Sequence, residues 1–272
     1  MTRRDPPVRL DLLLVERGLV SNRTRAQATI LAGRVSLAGV RLDKPGHRIP
    51  RDSPIQVEDA PRFVSRGGIK LDAALRAFGV RAESRDALDV GASTGGFTQV
   101  LLRDGASRVV SLDVGRGQLD WGLRNDPRVV VLEGINARYL TVSALPFLPA
   151  LAVIDVSFIS LDRVLPAVAA CLAPGGEIVA LVKPQFEVGR GGVGRGGIVR
   201  DPAQHLAVLL RLMNFARERE WGILGVIPSP IRGVEGNVEF FLHLAPGRPG
   251  LDDGALAPLA DDAVRRAAEA GS

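Results

Sequence analysis

Residues 86–113 decide the fold. They read Asp86-Ala-Leu-Asp89-Val-Gly91-Ala-Ser-Thr-Gly95-Gly96-Phe97-Thr98, then a segment to Arg103, then Val109–Leu112 closed by Asp113. Ala87–Val90 is a short apolar run. Glycines interrupt it before Thr98–Arg103 takes up a helical pattern, and a second apolar run then ends on an acid. Strand, glycine turn, helix, strand is the opening of an open α/β sheet. Such sheets hold ligands at the carboxyl ends of their strands, beside the first turn.

Further along, apolar runs recur at Val129–Leu132, Leu151–Ile154, Ile178–Val182, Ile223–Ile227 and Phe240–Leu244, with helical stretches at Leu161–Cys171 and Gln204–Arg219. The alternation predicts an α/β, Rossmann-like domain: a mostly parallel sheet with helices on both faces. The last two strands lie close in sequence and are expected to pair as an antiparallel edge. The tail from Pro246 is rich in Gly, Pro and Ala, and Ala257–Ala270 is expected to form a small peripheral helix.

Upstream the pattern differs. Leu10–Val15 reads as a short helix closed by Gly18, and Ser21 or Asn22 can cap a second helix from Arg23 to about Ala32, closed by Gly33. Short strands are expected around Arg34–Leu37, Val40–Leu42 and Ile55–Glu58. The boundaries drawn are residues 1–59 for a small α+β unit, 60–69 for a linker, 70–246 for the larger domain and 247–272 for a tail.

Charge separates the same parts. Residues 1–65 hold 12 Lys and Arg against 7 Asp and Glu, which is the whole net charge of +5 of the 272-residue chain. A basic unit joined to a neutral one reads as a polyanion-binding module attached to something else. One cysteine, Cys171, excludes a disulfide framework, and His47, His205 and His243 are too scattered for a histidine metal site. No apolar run is long enough to span a membrane and no secretory signal is evident. A reduced, cytoplasmic setting, no metal and a monomer are expected.

The glycine turn has two competing ligands. Gly91-x-x-x-Gly95-Gly96 is not the dinucleotide spacing G-x-G-x-x-G, and Asp89 ahead of the turn suits a cationic ligand better than a pyrophosphate. That favours S-adenosylmethionine over a dinucleotide. The expected contacts are Asp89, Gly91, Ala92, Ser93, Thr94, Gly95, Gly96 and Phe97, with Asp113 on the ribose hydroxyls and Asn136, after the third strand, near the adenine.

Of 35 basic residues only Lys44, Lys70 and Lys183 are lysines. Where charge alone suffices this chain uses Arg, so the lysines point to places where a guanidinium fails, since it cannot give up its proton. Lys70 precedes the first strand, Asp155 ends the Leu151–Ile154 strand, Lys183 ends the Ile178–Val182 strand and Glu239 begins the last one. A Rossmann-like sheet would bring them together. The chemistry that fits is methyl transfer to a ribose 2′-hydroxyl, with a partly desolvated lysine as base and the two acids holding the ammonium groups. Asp155 also lies near the cofactor's methionine end. Phe158, in Asp155-Val-Ser-Phe158, is read as a core residue in preference to one that stacks on a base.

Several segments resemble known families. Arg9-Leu-Asp11-x-x-Leu14, Asn22-Arg23-x-x-Ala26, Gly33-Arg-Val35, Lys44-Pro45 and Asp52-x-x-Ile55 resemble the S4-type RNA-binding domain. Val64-Ser-Arg-Gly-Gly-Ile-Lys70, the 89–98 turn, Asp155-Val-Ser-Phe-Ile-Ser160, Leu181-Val-Lys-Pro-Gln-Phe-Glu-Val-Gly189 and Gly236-Asn-Val-Glu-Phe240 resemble the FtsJ-type ribose 2′-O-methyltransferases. Together they resemble the TlyA family of ribosomal RNA cytidine 2′-O-methyltransferases, sometimes labelled haemolysins. The resemblance implies a Lys70-Asp155-Lys183-Glu239 tetrad, Lys183 as base, and cytidine of ribosomal RNA in assembled subunits as substrate. It places Arg9, Arg23 and Lys44 toward RNA; Arg25, Arg62 and Arg190 are further candidates for that role. In that family an Arg-x-Trp-Val element often joins the two parts and couples RNA docking to cofactor binding; this chain has the shorter Arg62-Phe63-Val64, with Phe in place of Trp, which leaves such coupling open. A non-catalytic RNA-binding or assembly factor and, more remotely, a membrane-active haemolysin are the rival readings.

Overall fold

The computed structural model describes residues 6–59, 62–189, 191–194 and 196–269. The chain divides into two compact units, Met1–Arg62 and Phe63–Ser272. Arg190 lies outside the described residues.

In the first unit the helices and strands follow the sequence pattern: α1 Leu10–Glu16, α2 Arg23–Leu31, β2 Val35–Leu37, β3 Val40–Arg41 and β5 Ile55–Val57, the strands ordered β3-β2-β5. The Asn22 side chain accepts from the Arg25 N–H at 2.9 Å and starts α2. Leu10, Leu13, Leu14, Ala26, Ile30, Val35, Leu42 and Ile49 form this unit's own core. The sequence pattern missed β1 Val8–Arg9 and β4 Arg48–Ile49, which pair antiparallel. Two-residue strands carry no alternation to detect.

The second unit opens with α3 Arg66–Phe78, so residues 66–69, read as linker, are a helical turn. Phe63, another residue of that stretch, is buried, and its ring lies where a Cβ on Gly68 would stand. There follow β6 Asp86–Val90, α4 Gly96–Arg103, β7 Arg108–Asp113, α5 Trp121–Arg124, β8 Val129–Glu133, β9 Leu151–Ile154, α6 Leu165–Ala170, β10 Glu177–Val182, α7 Pro184–Glu187, α8 Pro202–Arg217, β11 Gly222–Pro228, β12 Phe240–Ala245 and α9 Asp253–Glu269. The sheet order is β11-β12-β10-β9-β6-β7-β8. β10, β9, β6, β7 and β8 run parallel, and β12 is antiparallel to both its neighbours, which is the expected edge.

The strands are apolar throughout because both faces are covered. Leu88, Val90, Ala152, Ile154, Ala180 and Val182 pack on one side, and Ala87, Leu151, Val153, Val179 and Leu181 on the other. Each fully buried Leu, Ile or Val side chain contributes roughly 1.5–3 kcal/mol. The chain winds from β6 outward to β8, then returns to β9 on the other side of β6. The crevice beyond the ends of β6 and β9 is therefore the switch point where such sheets bind ligands.

Two expectations need correction. The helix expected over Leu161–Cys171 is a short turn, Leu161–Arg163, followed by α6, because Pro166 is tolerated only in a first turn. The tail helix is not peripheral: Leu256, Ala260, Ala263, Val264 and Ala267 of α9 are buried, and the helix packs on α8 and β11 as part of the main core.

Candidate active site

The turn after β6 is shaped by close approach. Gly91 has φ +85°, and a Cβ there would stand 2.2 Å from the Asp155 carbonyl oxygen. Gly95, at φ +96°, faces Leu119 and Leu123 and shapes the turn without lining either cavity described below. Asp113 closes β7 and ties the turn down: its carboxylate accepts the N–H of Ser93 and that of Gly115, both at 2.7 Å. Each carboxylate oxygen keeps a lone pair for a hydroxyl donor.

Asp89 is not where the sequence argument put it. Its side chain is fully buried, its Oδ2 accepts from Thr98 Oγ1 at 2.7 Å, and it lines neither cavity. Burial pushes its carboxyl up to about 7, and the Thr98 hydrogen bond restrains that only in part. Shielded in this way, it does not face the ligand site. Its Oδ1 has no hydrogen-bond partner among the described residues.

Two cavities meet at this turn. The larger, about 1060 Å³, is lined by Gly91, Ser93, Asp113, Val114, Ile135, Asn136 and Asp155 among others. The smaller, about 550 Å³, is lined by Ala92, Thr94, Gly96, Phe97, Lys70, Asp155, Lys183 and Glu239. Phe97 is mainly a core residue, its ring 6.2 Å from that of Phe241. Gly91, Ser93, Asp155, Ser157, Phe158, Gln185 and Phe186 border both cavities.

The smaller cavity collects all four residues expected to act together. Lys70 of α3 pairs with Glu239 at 2.5 Å, and both side chains are buried. Lys183 lies 2.6 Å from Asp155 Oδ1 and donates to Ser157 Oγ at 2.9 Å. Burial pushes the Glu239 carboxyl above its ordinary range; the nearby ammonium groups of Lys70 and Lys183 pull the other way. Glu239 immediately precedes β12 and does not lie in it. The sequence argument missed Ser157 and Gln185, although each stands two residues beyond a strand-end residue already singled out.

Phe158 is not in the core. It is 91% exposed, has φ +63°, and its ring stands 4.9 Å from that of Phe186. A left-handed phenylalanine costs on the order of 1–3 kcal/mol.

In the first unit, Arg9 and Arg23 converge on Asp11. Arg9 binds it through two nitrogens at 3.0 Å each, Arg23 Nε does so at 3.0 Å and Gln27 at 3.1 Å. Asp11 is buried, and these partners, Arg9 foremost, hold its carboxyl well below the usual range. The Arg9 and Arg23 side chains nonetheless stay 39% and 55% exposed. Arg25, Lys44 and Arg62 are exposed side chains.

A seven-stranded sheet with a glycine turn, a strand-end acid and a lysine–carboxylate cluster at its switch point defines a Rossmann-like methyltransferase unit, here preceded by a small basic unit. Residues 63–245 match the FtsJ-like methyltransferase family and residues 8–54 the S4 domain. The chain is 48% identical over 265 residues to the 16S/23S rRNA (cytidine-2'-O)-methyltransferase TlyA of Mycobacterium tuberculosis, covering 97% of this chain and 98% of that one. A solved structure from Streptococcus thermophilus, labelled a haemolysin, is 42% identical, with a TM-score of 0.75 over 98% of this chain and 97% of that one. A Listeria monocytogenes structure described as an S-adenosylmethionine dependent methyltransferase shares the fold alone, at 14% identity and a TM-score of 0.50 over 68% of this chain and 100% of that one. The chain belongs to the TlyA family of FtsJ-like methyltransferases with an N-terminal S4 domain, and it is an enzyme of the methyltransferase class. Among the described residues, no helix is long and apolar enough to cross a membrane.

Proposed function

We propose that this protein methylates the ribose 2′-oxygen of cytidine in ribosomal RNA, within ribosomal subunits in the cytoplasm, and that it acts as a monomer. The observation that carries the reading is the convergence of Lys70, Asp155, Lys183 and Glu239 on one cavity that adjoins the glycine turn. The 48% identity to an enzyme of that named activity supports it.

The cavities fit S-adenosylmethionine. The Gly91 cradle leaves no room for a side chain, the lone pairs of Asp113 suit two ribose hydroxyls, and Asn136 lies on the same wall. Gly91, Ala92, Ser93, Thr94 and Gly96, with Asp113, Asn136 and Asp155, would hold it. When bound, it supplies the methyl group.

Lys183 is the general base. As the neutral amine it has two N–H bonds and one lone pair. One N–H is directed to Ser157 Oγ and Asp155 stands 2.6 Å away as the ion-pair partner, and the lone pair is directed to the substrate hydroxyl. The hydroxyl proton passes to Nζ as the oxygen attacks, and Asp155 stabilises the ammonium that results. Lys70, held by Glu239, lines the same cavity and sets a second cationic side chain near the reacting groups. Phe158, exposed at the border of both cavities, offers a face on which the target base stacks. Arg9, Arg23, Arg25 and Lys44 of the S4 unit, with Arg62 and Arg190, contact RNA phosphates.

The test is incubation with radiolabelled S-adenosylmethionine and separated, unmodified ribosomal subunits, beside Lys183→Ala. Label at a cytidine 2′-oxygen, lost in the variant while RNA binding persists, is the expected result. Normal turnover by Lys183→Ala would remove it as the base. Cofactor binding without label in either subunit would move the substrate to another RNA. No cofactor binding at all would favour an RNA-binding scaffold.

A further inference from the structure

β9 and β10 are paired in register as far as Ile154 and Ala180. Asp155 and Lys183 lie beyond that last rung, on two separate loops. The geometry proposed for the base depends on the spacing of those loops. The Asp155 N–H is bound to Val90 of β6 at 2.9 Å, so one side of its loop is fixed to the sheet. The side facing Lys183 needs another tie.

Glu187 supplies it. It ends α7, the single turn that begins after Lys183, and its side chain is only 2% exposed. Its Oε2 accepts from Ser160 Oγ at 2.6 Å and its Oε1 from the Leu161 N–H at 2.8 Å. Both donors belong to the segment that carries Asp155 and Ser157. Arg211 of α8 donates to Glu187 Oε2 and, through its other terminal nitrogen, to Asp162 at 3.0 Å. One buried carboxylate therefore joins both loops and anchors them to a sixteen-residue helix. Glu187 lines neither cavity, so it touches no substrate.

We propose that Glu187 is a positioning residue for methyl transfer: its carboxylate clamps the Asp155–Arg163 segment to the turn after Lys183 and so fixes Lys183 against Asp155 and Ser157. This rests on the reading of Lys183 as base. A carboxylate is suited to the task because it accepts from three donors at once, and a carboxamide has only one acceptor oxygen. A misplacement of about 1 Å at a reacting centre can cost on the order of 100-fold in rate.

The experiment compares wild type, Glu187→Gln, Ser160→Ala and Lys183→Ala in the full chain. Subunit methylation is measured at steady state, S-adenosylmethionine affinity by calorimetry, and amide hydrogen exchange over residues 156–162. Glu187→Gln is expected to lower kcat about 10- to 100-fold, with the KM for subunits and the cofactor Kd within about twofold. Ser160→Ala removes one bond of the clamp and is expected to lower kcat by less, in the same pattern. Exchange at 156–162 rises in both, while β9 and β10 stay protected. Unchanged kcat in both variants overturns the clamp. So does a loss of kcat together with cofactor affinity and β9–β10 protection, which would mark general loss of structure. Full activity in Lys183→Ala instead sinks the base reading. An inactive Lys183→Ala beside a full-rate Glu187→Gln and Ser160→Ala sinks the clamp alone. If wild type labels neither subunit, the exchange arm decides by itself: protection of 156–162 unchanged in Glu187→Gln overturns the clamp.

Discussion

Asp89→Asn isolates the cost of a buried carboxylate in the sheet. Asp89 is fully buried, with Thr98 as the donor to one oxygen and, among the described residues, no donor to the other. Burial pushes its carboxyl from the ordinary 3.8 up to about 7. The folded state thus holds the proton more tightly than the unfolded chain does. The associated stability is fully present below about pH 4 and is lost as pH rises to about 7, where it levels off. A shift of about 3 units at 1.36 kcal/mol each amounts to roughly 4 kcal/mol, a large share of the 5–15 kcal/mol typical of a domain. Asparagine keeps the shape and an acceptor for Thr98 but carries no charge. Relative to wild type, Asp89→Asn is therefore expected to gain about 4 kcal/mol between pH 4 and pH 8. Urea unfolding at a series of pH values measures it, followed by fluorescence of Trp121 and Trp221, the two tryptophans, both in the second unit. A difference between the two proteins that stays flat from pH 4 to pH 8 would refute the argument, because it would mean that Asp89 titrates as an ordinary carboxyl. The cofactor Kd is expected to change less than stability does, since Asp89 lines neither cavity.

Three further outcomes follow from the geometry. Gly91→Ala forces a methyl to 2.2 Å from the Asp155 carbonyl at a φ of +85°; it should cost about 2–4 kcal/mol and abolish cofactor binding by calorimetry, and unimpaired binding would show that the turn can relax. Arg23→Ala should weaken RNA binding and flatten the dependence of log K on log salt by about 0.7–0.9; an unchanged slope in filter binding would argue against a phosphate contact there. Truncation before Asp253 removes α9 and uncovers the face buried by Leu256 and Val264, for a loss of about 3–6 kcal/mol; an unchanged urea midpoint would make α9 dispensable.

Much of this protein is written in its sequence because the relevant signals are local. The α/β order, the glycine turn, the acid that closes β7 and the antiparallel edge follow from apolar runs, glycine spacing and short connections. These reflect backbone sterics and burial on both faces of a sheet. Strand ends also carried Asp155 and Lys183 to the right edge, since a parallel sheet aligns its carboxyl ends whatever the loops do. The two-residue strands β1 and β4 left no trace, because pairing that short is specified by the partner. The tail was misjudged on composition, although Leu256, Ala260, Ala263, Val264 and Ala267 keep a helical spacing that marks a buried face.

Only the tertiary structure could assign charge and exposure. Asp89 looked like an anion facing a ligand; packing turned it inward and raised its pKa, because desolvation depends on every neighbour and not on the adjacent residues. Phe158 looked like core, yet its left-handed backbone turns the ring outward beside Phe186. Glu187 was one letter of a motif until Ser160, Leu161 and Arg211, distant in sequence, closed around it. The sequence determined which groups reach the sheet edge. The fold decided which of them are buried, which are paired and which face the cavity, because those properties are set by contacts between residues that the chain keeps far apart.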